Sequence, residues 1–409
     1  MEKVASKTAS QEYIRLEEEY GAHNYHPLDI VVQRAQGSWV WDVEGNKFLD
    51  FLAAYSAVNQ GHAHPRIRKV MEEQASKVTL TSRAFRSDQL GPLYKELHDL
   101  SGYQRFLPMN TGAEGVETAI KAARKWGYKI KGIPEGKAEI VVFTGNFHGR
   151  TTTIISFSDD DQYRDGFGPF TAGFVMVPYG DLEAVKKAVN ANTAAVLVEP
   201  IQGESGINLP PKGFLKGIEA LCKEKNVLFI ADEIQSGLGR TGKLFCHHWE
   251  DVRPDVVIVG KALGGGFYPI SGILADDKVM QVFKPGDHGS TFGGNPLACA
   301  VAREALKVLV EEKMIENSER LGAYFLEKLR AIQSPHVKEI RGKGLWIGIE
   351  LTPEAAPARE VCERLLDMGV LAKDTHETTV RLAPPLCVTQ EDLDWATERI
   401  LEALRERVA

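Results

Sequence analysis

The sequence predicts an α/β protein with two parts. One is a large domain built on a mostly parallel sheet flanked by helices. The other is a smaller α+β domain assembled from the N-terminal segment and the C-terminal part. Short apolar runs at Val141 to Phe143, Ala194 to Val198, Val227 to Ala231 and Val256 to Val259 read as strands buried on both faces. Each run breaks off into polar or glycine-rich residues, and in open α/β sheets that carboxyl edge is where ligands bind. After about Ala300 the texture changes to amphipathic helices between isolated strands. A chain of 409 residues exceeds one usual domain. The expected division is a segment over 1–55 that packs with the small domain, a large domain over 56–305, and a small domain over 306–409.

In chain order, Val40 to Pro65 reads as a hairpin around Glu44-Gly45-Asn46 followed by a loop. Arg105 to Met109 is a short run that ends at Asn110-Thr111-Gly112-Ala113-Glu114. Val116, Ala119, Ile120 and Ala123 then follow at helical spacing. Thr111 to Ala113 therefore sit at a helix N-terminus, where free N–H groups and the helix dipole favour an anion such as phosphate. Threonine is also an ordinary N-cap that needs no ligand. Further on, helices are expected at Ala302 to Glu311, Leu321 to Leu329 and Glu360 to Asp367, with strands around Leu345 to Leu351 and Val380 to Ala383. A last helix should bury Leu393, Ala396, Ile400, Leu401 and Leu404 on one face.

Composition excludes several classes. A net charge of -7 gives no electrostatic case for nucleic acid or an anionic membrane. The cysteines Cys222, Cys246, Cys299, Cys362 and Cys387 are scattered with no CxxC pair, which suits a reduced, cytoplasmic protein. MEKVASKTASQEY lacks the apolar core of a signal peptide, and no apolar run approaches bilayer length. His62 and His64 have no thiolate or carboxylate neighbours in the pattern of a metal site, so no metal is expected.

Two chemistries compete. Gly237 to Lys243, GLGRTGK, fits the GxxxxGK half of a nucleotide-binding P-loop. Leu244 stands where Ser or Thr would hold magnesium, LFCHHW does not read as a helix, and Asp232 and Glu233 would repel phosphate. The rival is pyridoxal phosphate chemistry, which needs an aldehyde-binding lysine, an acid beside the pyridine nitrogen, a phosphate cup and an aromatic face. Lys261 ends a buried strand, where an ammonium is costly unless paired or neutralised, and a deprotonated amine can attack an aldehyde. The glycines that follow, Gly264 to Gly266, would let backbone come close to whatever Lys261 holds. Asp232 also ends a buried strand, and a pyridinium N–H would compensate its charge. Thr111, Gly112 and Ala113 offer the cup, and Phe147 is a candidate for the aromatic face.

The chain resembles the class III aminotransferases among the fold type I pyridoxal phosphate enzymes. NYHP, YSAVNQGH, LTSRAF, PMNTGAE, GFGPF, VEPIQGE, LFIADEIQ, GLGRTGK, GKALGGG, HGSTFGGNPL, RGKGL and RLAPPL all occur in the family's order, over nearly the whole chain. AYSAVNQGH, TSRAF and the context of Tyr25 point to the branch that uses ornithine as amino donor and 2-oxoglutarate as acceptor. Acetylornithine and 4-aminobutyrate enzymes share most of these motifs. GLGRTGK then becomes a family loop.

The resemblance implies that Lys261 bonds the cofactor aldehyde and carries the proton, and that Asp232 keeps the pyridine nitrogen protonated. It implies that Gln235 lies by the ring hydroxyl, with Ile234 beside it. Gly112 and Ala113 would bind phosphate, Phe147 would stack, and Thr291 with Ser290 would reach the cup of a neighbouring subunit. The active form would then be a homodimer or a higher homo-oligomer. Arg150 with Tyr25 would anchor the distant carboxylate of ornithine, and Tyr55 would shape the pocket. Arg381 would take the near carboxylate of the oxo acid, and Glu204 would pair with Arg381 in the amine half-reaction and release it in the other. Three positions depart from the family's pattern. His148 occupies a place where some members have Trp. Ser205 and Ser236 occupy places where Ala and Thr are common.

Overall fold

The structure, a computed structural model, describes residues 8–355 and 357–405. Residues 1–7 of the stretch read for a leader, and the ends of the 1–55 and 306–409 segments at 1–7 and 406–409, lie outside the described residues, as does position 356.

Three N-terminal strands come first: β1 (Val32–Gln36), β2 (Trp39–Asp42) and β3 (Lys47–Asp50). The hairpin between β2 and β3 turns at Glu44-Gly45-Asn46 as the sequence predicts, pairing Trp39 with Leu49 and Trp41 with Lys47. Seven strands of the middle region follow: β4 (Arg105–Met109), β5 (Glu139–Phe143), β6 (Phe174–Val177), β7 (Thr193–Val198), β8 (Leu228–Asp232), β9 (Val256–Val259) and β10 (Ser271–Ala275). The C-terminal region adds β11 (Val337–Gly342), β12 (Ile347–Leu351), β13 (Val370–Leu371), β14 (Lys373–Thr375) and β15 (Thr379–Leu382). Among the described residues these form three sheets, ordered β4-β10-β9-β8-β7-β5-β6, β1-β2-β3-β13 and β11-β12-β15-β14.

The large sheet is parallel except at β10, which runs antiparallel to both β4 and β9. The carboxyl ends of β4, β5, β7, β8 and β9 therefore share one edge. β7, β8 and β9 are buried along their whole length. Each Val or Ile fully removed from water there contributes roughly 1.5–3 kcal/mol. Helix Gly112–Trp126 lies across β9 and β10 and presents Val116, Ala119, Ile120 and Ala123 to them, all at most 2% exposed. Thr111 starts it with a capping box, its Oγ1 accepting from Glu114 N at 3.3 Å while Glu114 Oε2 accepts from Thr111 N at 2.8 Å.

The two ends of the chain meet in one sheet, because β13 pairs in parallel with β3, Val370 opposite Leu49. The helix expected from Ala302 begins earlier, at Pro296, with Asn295 capping it, so position 305 falls inside helix Pro296–Glu311. β11 was not expected. Its sequence, VKEIRG, is largely polar and only partly buried, so the apolar alternation that marks a strand is weak. In the last helix, Gln390–Ala403, Leu393, Ala396 and Ile400 are buried, as is Leu404 at its cap, while Leu401 is only half-buried. Among the described residues no helix is long and apolar enough to cross a membrane, and no cluster of three or more His, Cys, Asp or Glu is placed to hold a metal.

Candidate active site

A cavity of about 210 Å³ opens at the carboxyl edge of the large sheet, lined by Gly112, Ala113, Phe147, Glu204, Asp232 and Lys261 among others. Each comes from a strand end or a helix start, because there the chain leaves the buried sheet and backbone and polar groups become available. β4 delivers Gly112 and Ala113, the first residues of a helix, whose N–H groups have no intrahelical acceptor. β5 delivers Phe147 and His148, β7 delivers Glu199 and Glu204, β8 delivers Asp232, Ile234 and Gln235, and β9 delivers Lys261.

Lys261 follows β9 in a left-handed backbone conformation (φ 44°). Burial lowers its amine to about 8, against the opposing pull of Glu204. The free base is therefore far more accessible near neutral pH than for an exposed lysine. The glycines after it do not line the cavity. A Cβ on Gly265 would meet Ile67 Cδ1 at 2.9 Å, and one on Gly266 would meet Val58 Cγ1 at 3.1 Å. Their close approach is to packed helices and loop, which corrects the expectation that they face what Lys261 holds.

Asp232 is 5% exposed and its carboxylate is gripped on both oxygens. Oδ1 accepts from Ile234 N at 3.1 Å and Oδ2 accepts from His148 Nδ1 at 2.6 Å. Burial disfavours the His148 imidazolium, but the bond to Asp232 outweighs that and raises its pKa. Sequence reasoning noted His148 only as a departure beside the aromatic residue. Its partner lies far along the chain, and no local spacing marks the contact.

Glu199 was likewise seen only as a polar residue at a strand end. It accepts from Phe147 N at 2.9 Å, so it fixes the loop that carries the aromatic ring. Burial, with Asp232 nearby, pushes its carboxyl up to about 8.

Glu204 and Arg381 meet as expected, with Nη1 donating to Oε1 at 2.8 Å. Burial alone would raise the Glu204 carboxyl. The charges of Arg381 and Lys261 and the hydrogen bonds from Arg381 and Gln235 outweigh it and bring it down to about 2. Gln235 Nε2 donates to the same Oε1 at 3.2 Å, and Thr375 Oγ1 donates to the Glu204 carbonyl. Arg381 is only 3% exposed, and its Nε has no partner among the described residues. Gly203 lies close beneath Gln235 and the buried Trp346 ring, and a Cβ there would come 2.6 Å from Trp346 Cζ2.

Tyr55 stands against this pair. Its ring lies 4.9 Å from the Arg381 guanidinium and 6.0 Å from the Lys261 amine. Burial raises its phenol pKa, and Tyr25 is close enough to act on it in the same direction. Tyr55 sits in an unusual turn in which Ala53, Ala54, Tyr55 and Ser56 all have positive φ (47°, 45°, 58° and 71°). A left-handed turn costs an L-residue about 1–2 kcal/mol, and none of the four is glycine.

Arg150 is exposed, lies over the Tyr163 ring at 4.2 Å and the Phe147 ring at 5.9 Å, and forms no ion pair among the described residues. Tyr25 is 73% exposed. The remaining expected residues lie apart from the cavity. Thr111 spends its hydroxyl on its own helix. Ser290 accepts from Asn110 Nδ2 at 2.8 Å beside the cup, and Thr291 is exposed.

The GLGRTGK loop lies outside the cavity lining apart from its neighbour Ser236. Lys243 pairs with Glu319, and a 3-10 turn over Cys246–Glu250 follows where a P-loop needs a helix. That geometry overturns the nucleotide reading. Arg240 is fully buried and donates to three acceptors, Leu345 O at 2.8 Å, Pro384 O at 2.6 Å and Asn59 Oδ1 at 2.6 Å. Burial lowers it to about 9.

A model of the family "Aminotransferase class-III" matches residues 20–404. An ornithine aminotransferase of Brevibacillus brevis is 59% identical over 387 residues, 95% of this chain and 96% of that one. The solved ornithine aminotransferase of Toxoplasma gondii superposes with a TM-score of 0.96 at 44% identity, over 98% of this chain and 96% of that one. A solved acetylornithine aminotransferase of Elizabethkingia anophelis gives 0.89 at 48% identity, over 97% and 99%.

Proposed function

The chain belongs to the class-III aminotransferase family, and from that premise we propose that it is an ornithine aminotransferase working with pyridoxal 5'-phosphate. It moves the δ-amino group of L-ornithine to 2-oxoglutarate and gives glutamate 5-semialdehyde, which cyclises, and glutamate. One observation carries the substrate reading: two arginines stand in unlike states. Arg381 is masked by Glu204, and Arg150 has no carboxylate against it among the described residues.

The residues present fit the cofactor. A lysine amine, a braced carboxylate and two free helix-start N–H groups line one cavity. When bound, the cofactor supplies an electron sink for the carbon that carries the amine. Lys261 would supply the amine that holds the cofactor, and its place in the cavity would let it take and return a proton at the reacting carbon. Asp232 would hold the ring nitrogen and keep it protonated, with His148 and Ile234 N fixing the direction of its carboxylate. Gly112 and Ala113 would hold the phosphate through their N–H groups, and Phe147 and Gln235, which line the same cavity, would hold the ring.

Ornithine reacts through its terminal amine, so its α-carboxylate lies far from the reacting carbon, where Arg150 with Tyr25 meets it. 2-Oxoglutarate reacts at its keto carbon, so its α-carboxylate must come close. Arg381 receives it once Glu204 swings away. In the paired state the charges of Arg381 and Lys261 keep Glu204 ionised, so it masks Arg381 as a carboxylate.

We also propose a homodimer or larger assembly in which Ser290 and Thr291 complete a partner's cup. The exposure of Thr291 and of Phe292 beside it supports this. The division at 55 and 305 is kept as a proposal, supported by the pairing of β13 with β3. A cytoplasmic location is proposed on the five free cysteines.

The test is an absorption spectrum of the purified protein, followed by ornithine. A yellow protein bleached by ornithine and restored by 2-oxoglutarate is expected. No colour, or faster bleaching by N-acetylornithine or 4-aminobutyrate, would overturn the reading. Arg150→Ala should slow the ornithine half-reaction about tenfold or more, and Arg381→Ala the oxo-acid half, as expected for one lost charged hydrogen bond.

A further inference from the structure

The left-handed turn over Ala53 to Ser56 persists although four L-residues in it occupy a disfavoured conformation. Something must hold it. Asp50, the last residue of β3, is buried, and its Oδ1 accepts from Leu52 N at 2.8 Å and from Ala53 N at 3.0 Å. Its Oδ2 accepts from His62 Nε2 at 2.7 Å. His62 is itself fixed by a reciprocal backbone pair with Gly37, at 2.8 and 3.0 Å. At the far side of the turn Gln235 Nε2 donates to the Tyr55 carbonyl at 3.3 Å. The turn is thus gripped on both sides, and the ring it presents faces Arg381 and Lys261.

We propose that Asp50 and His62 are positioning residues for Tyr55, and that through it they set the preference for ornithine over α-amino donors. The inference rests on the reading that Tyr55 shapes the donor pocket. Asp50 holds the turn in its unfavourable hand, His62 holds Asp50, and neither touches a substrate. Without the carboxylate the turn relaxes toward ordinary right-handed backbone and the phenol leaves its place beside the Arg381–Glu204 pair. α-Amino donors, whose carboxylate needs Arg381, then gain relative to ornithine.

The test compares Asp50→Ala and His62→Ala, alone and with Ala54→Gly, in the holoenzyme. Ala54 is exposed, and glycine adopts the left-handed conformation without steric penalty. Two readouts are taken: the ratio of half-reaction rates with ornithine and glutamate, and chymotryptic cleavage after Tyr55 followed by fragment mass. Asp50→Ala should lower the ornithine:glutamate ratio about tenfold, the scale of a misplaced pocket wall, and should speed cleavage at Tyr55. His62→Ala should do the same to a lesser degree, and His62→Gln, which keeps a donor, should stay near wild type. Ala54→Gly should recover most of both effects. An unchanged ratio with unchanged cleavage in Asp50→Ala would overturn the proposal, as would a failure of Ala54→Gly to restore anything. If Asp50→Ala does not fold, Asp50→Asn with and without Ala54→Gly gives the same comparison. If the wild type ignores ornithine, the functional reading falls, and the cleavage comparison still decides whether Asp50 holds the turn.

Discussion

Two loops of this protein are nearly the same in composition and opposite in use. Gly260 to Gly266 reads GKALGGG and Gly237 to Lys243 reads GLGRTGK. In both, glycines let backbone press against packed neighbours. Gly265 abuts Ile67 and Ala305, while a Cβ on Gly242 would lie 2.8 Å from Glu319 Cα and one on Gly344 would lie 2.5 Å from the Thr241 carbonyl carbon. The difference lies in the cations. Lys261 ends a buried strand of the large sheet and lines the cavity with a lowered pKa. Lys243 lies on a partly exposed face against Glu319, and the cation that matters in that loop is Arg240, sealed among carbonyls of the C-terminal region. Glycine content thus says that chain will come close to chain. The position of the lysine relative to a strand end says whether chemistry follows.

The largest expected effect breaks the comparison at Lys261. Lys261→Ala should lose the visible band of bound cofactor and lower turnover on the order of 10⁴-fold or more, since among the described residues no other amine lines the cavity. A rate near wild type would remove Lys261 from its role. Second, Arg240→Ala should destabilise by several kcal/mol. It strands Leu345 O, Pro384 O and Asn59 Oδ1 without donors, at about 1–3 kcal/mol each. Urea unfolding measures it, and the fraction that stays folded should keep its colour. A variant as stable as wild type would mean that water replaces the guanidinium.

Third, Lys261 should reveal its lowered pKa in the uptake of cofactor by the apoprotein. Attack needs the free amine. With a pKa of about 8, roughly a tenth of the amine is free at pH 7 and nine-tenths at pH 9. The rate constant should rise about tenfold across that interval and then level off. A profile still climbing at pH 10 would show that the amine is not depressed, and one flat from pH 7 upward would place its pKa well below 8. The smallest effect belongs to Lys243→Ala, which should change stability by about 1 kcal/mol or less, as for other partly exposed pairs, and should leave half-reaction rates alone.

Much of the site was legible for one reason. A charged residue at the end of a buried apolar run has an ordinary explanation when it stands alone, as a solvated lysine or a loop cap. Lys261 and Asp232 stand at two such ends beside the Thr111 to Ala113 turn, and that conjunction marked the site. Thr111 to Ala113 were legible from a capping pattern between a strand and a helix. The contacts that tune these groups were not. His148 meets Asp232 and Phe147 N meets Glu199 only because β5, β7 and β8 lie side by side, a tertiary fact with no local trace. The turn at Ala53 to Ser56 was hidden because it contains none of the residues that announce positive φ. The early start of helix Pro296–Glu311 could have been found, since Asn295 before Pro296 is an N-cap followed by proline at the first helical position.

The sheet that joins β3 to β13 also constrains when the protein can become active during its synthesis. Leu49 N donates to Gly369 O at 2.8 Å, Phe51 N to Leu371 O at 2.9 Å, and Ala383 N to Phe51 O at 2.6 Å. The backbone just before Tyr55 is therefore seated on residues that leave the ribosome more than three hundred positions later. A nascent chain released from the tunnel as far as β10 holds every strand of the large sheet, with Lys261 and Asp232 in it. It has no Arg381, and β3, which leads into the Tyr55 turn, has no partner strand β13. The part of the cavity that carries Lys261 and Asp232 can form early, while Arg381 and the strand that seats β3 wait for the end of the message.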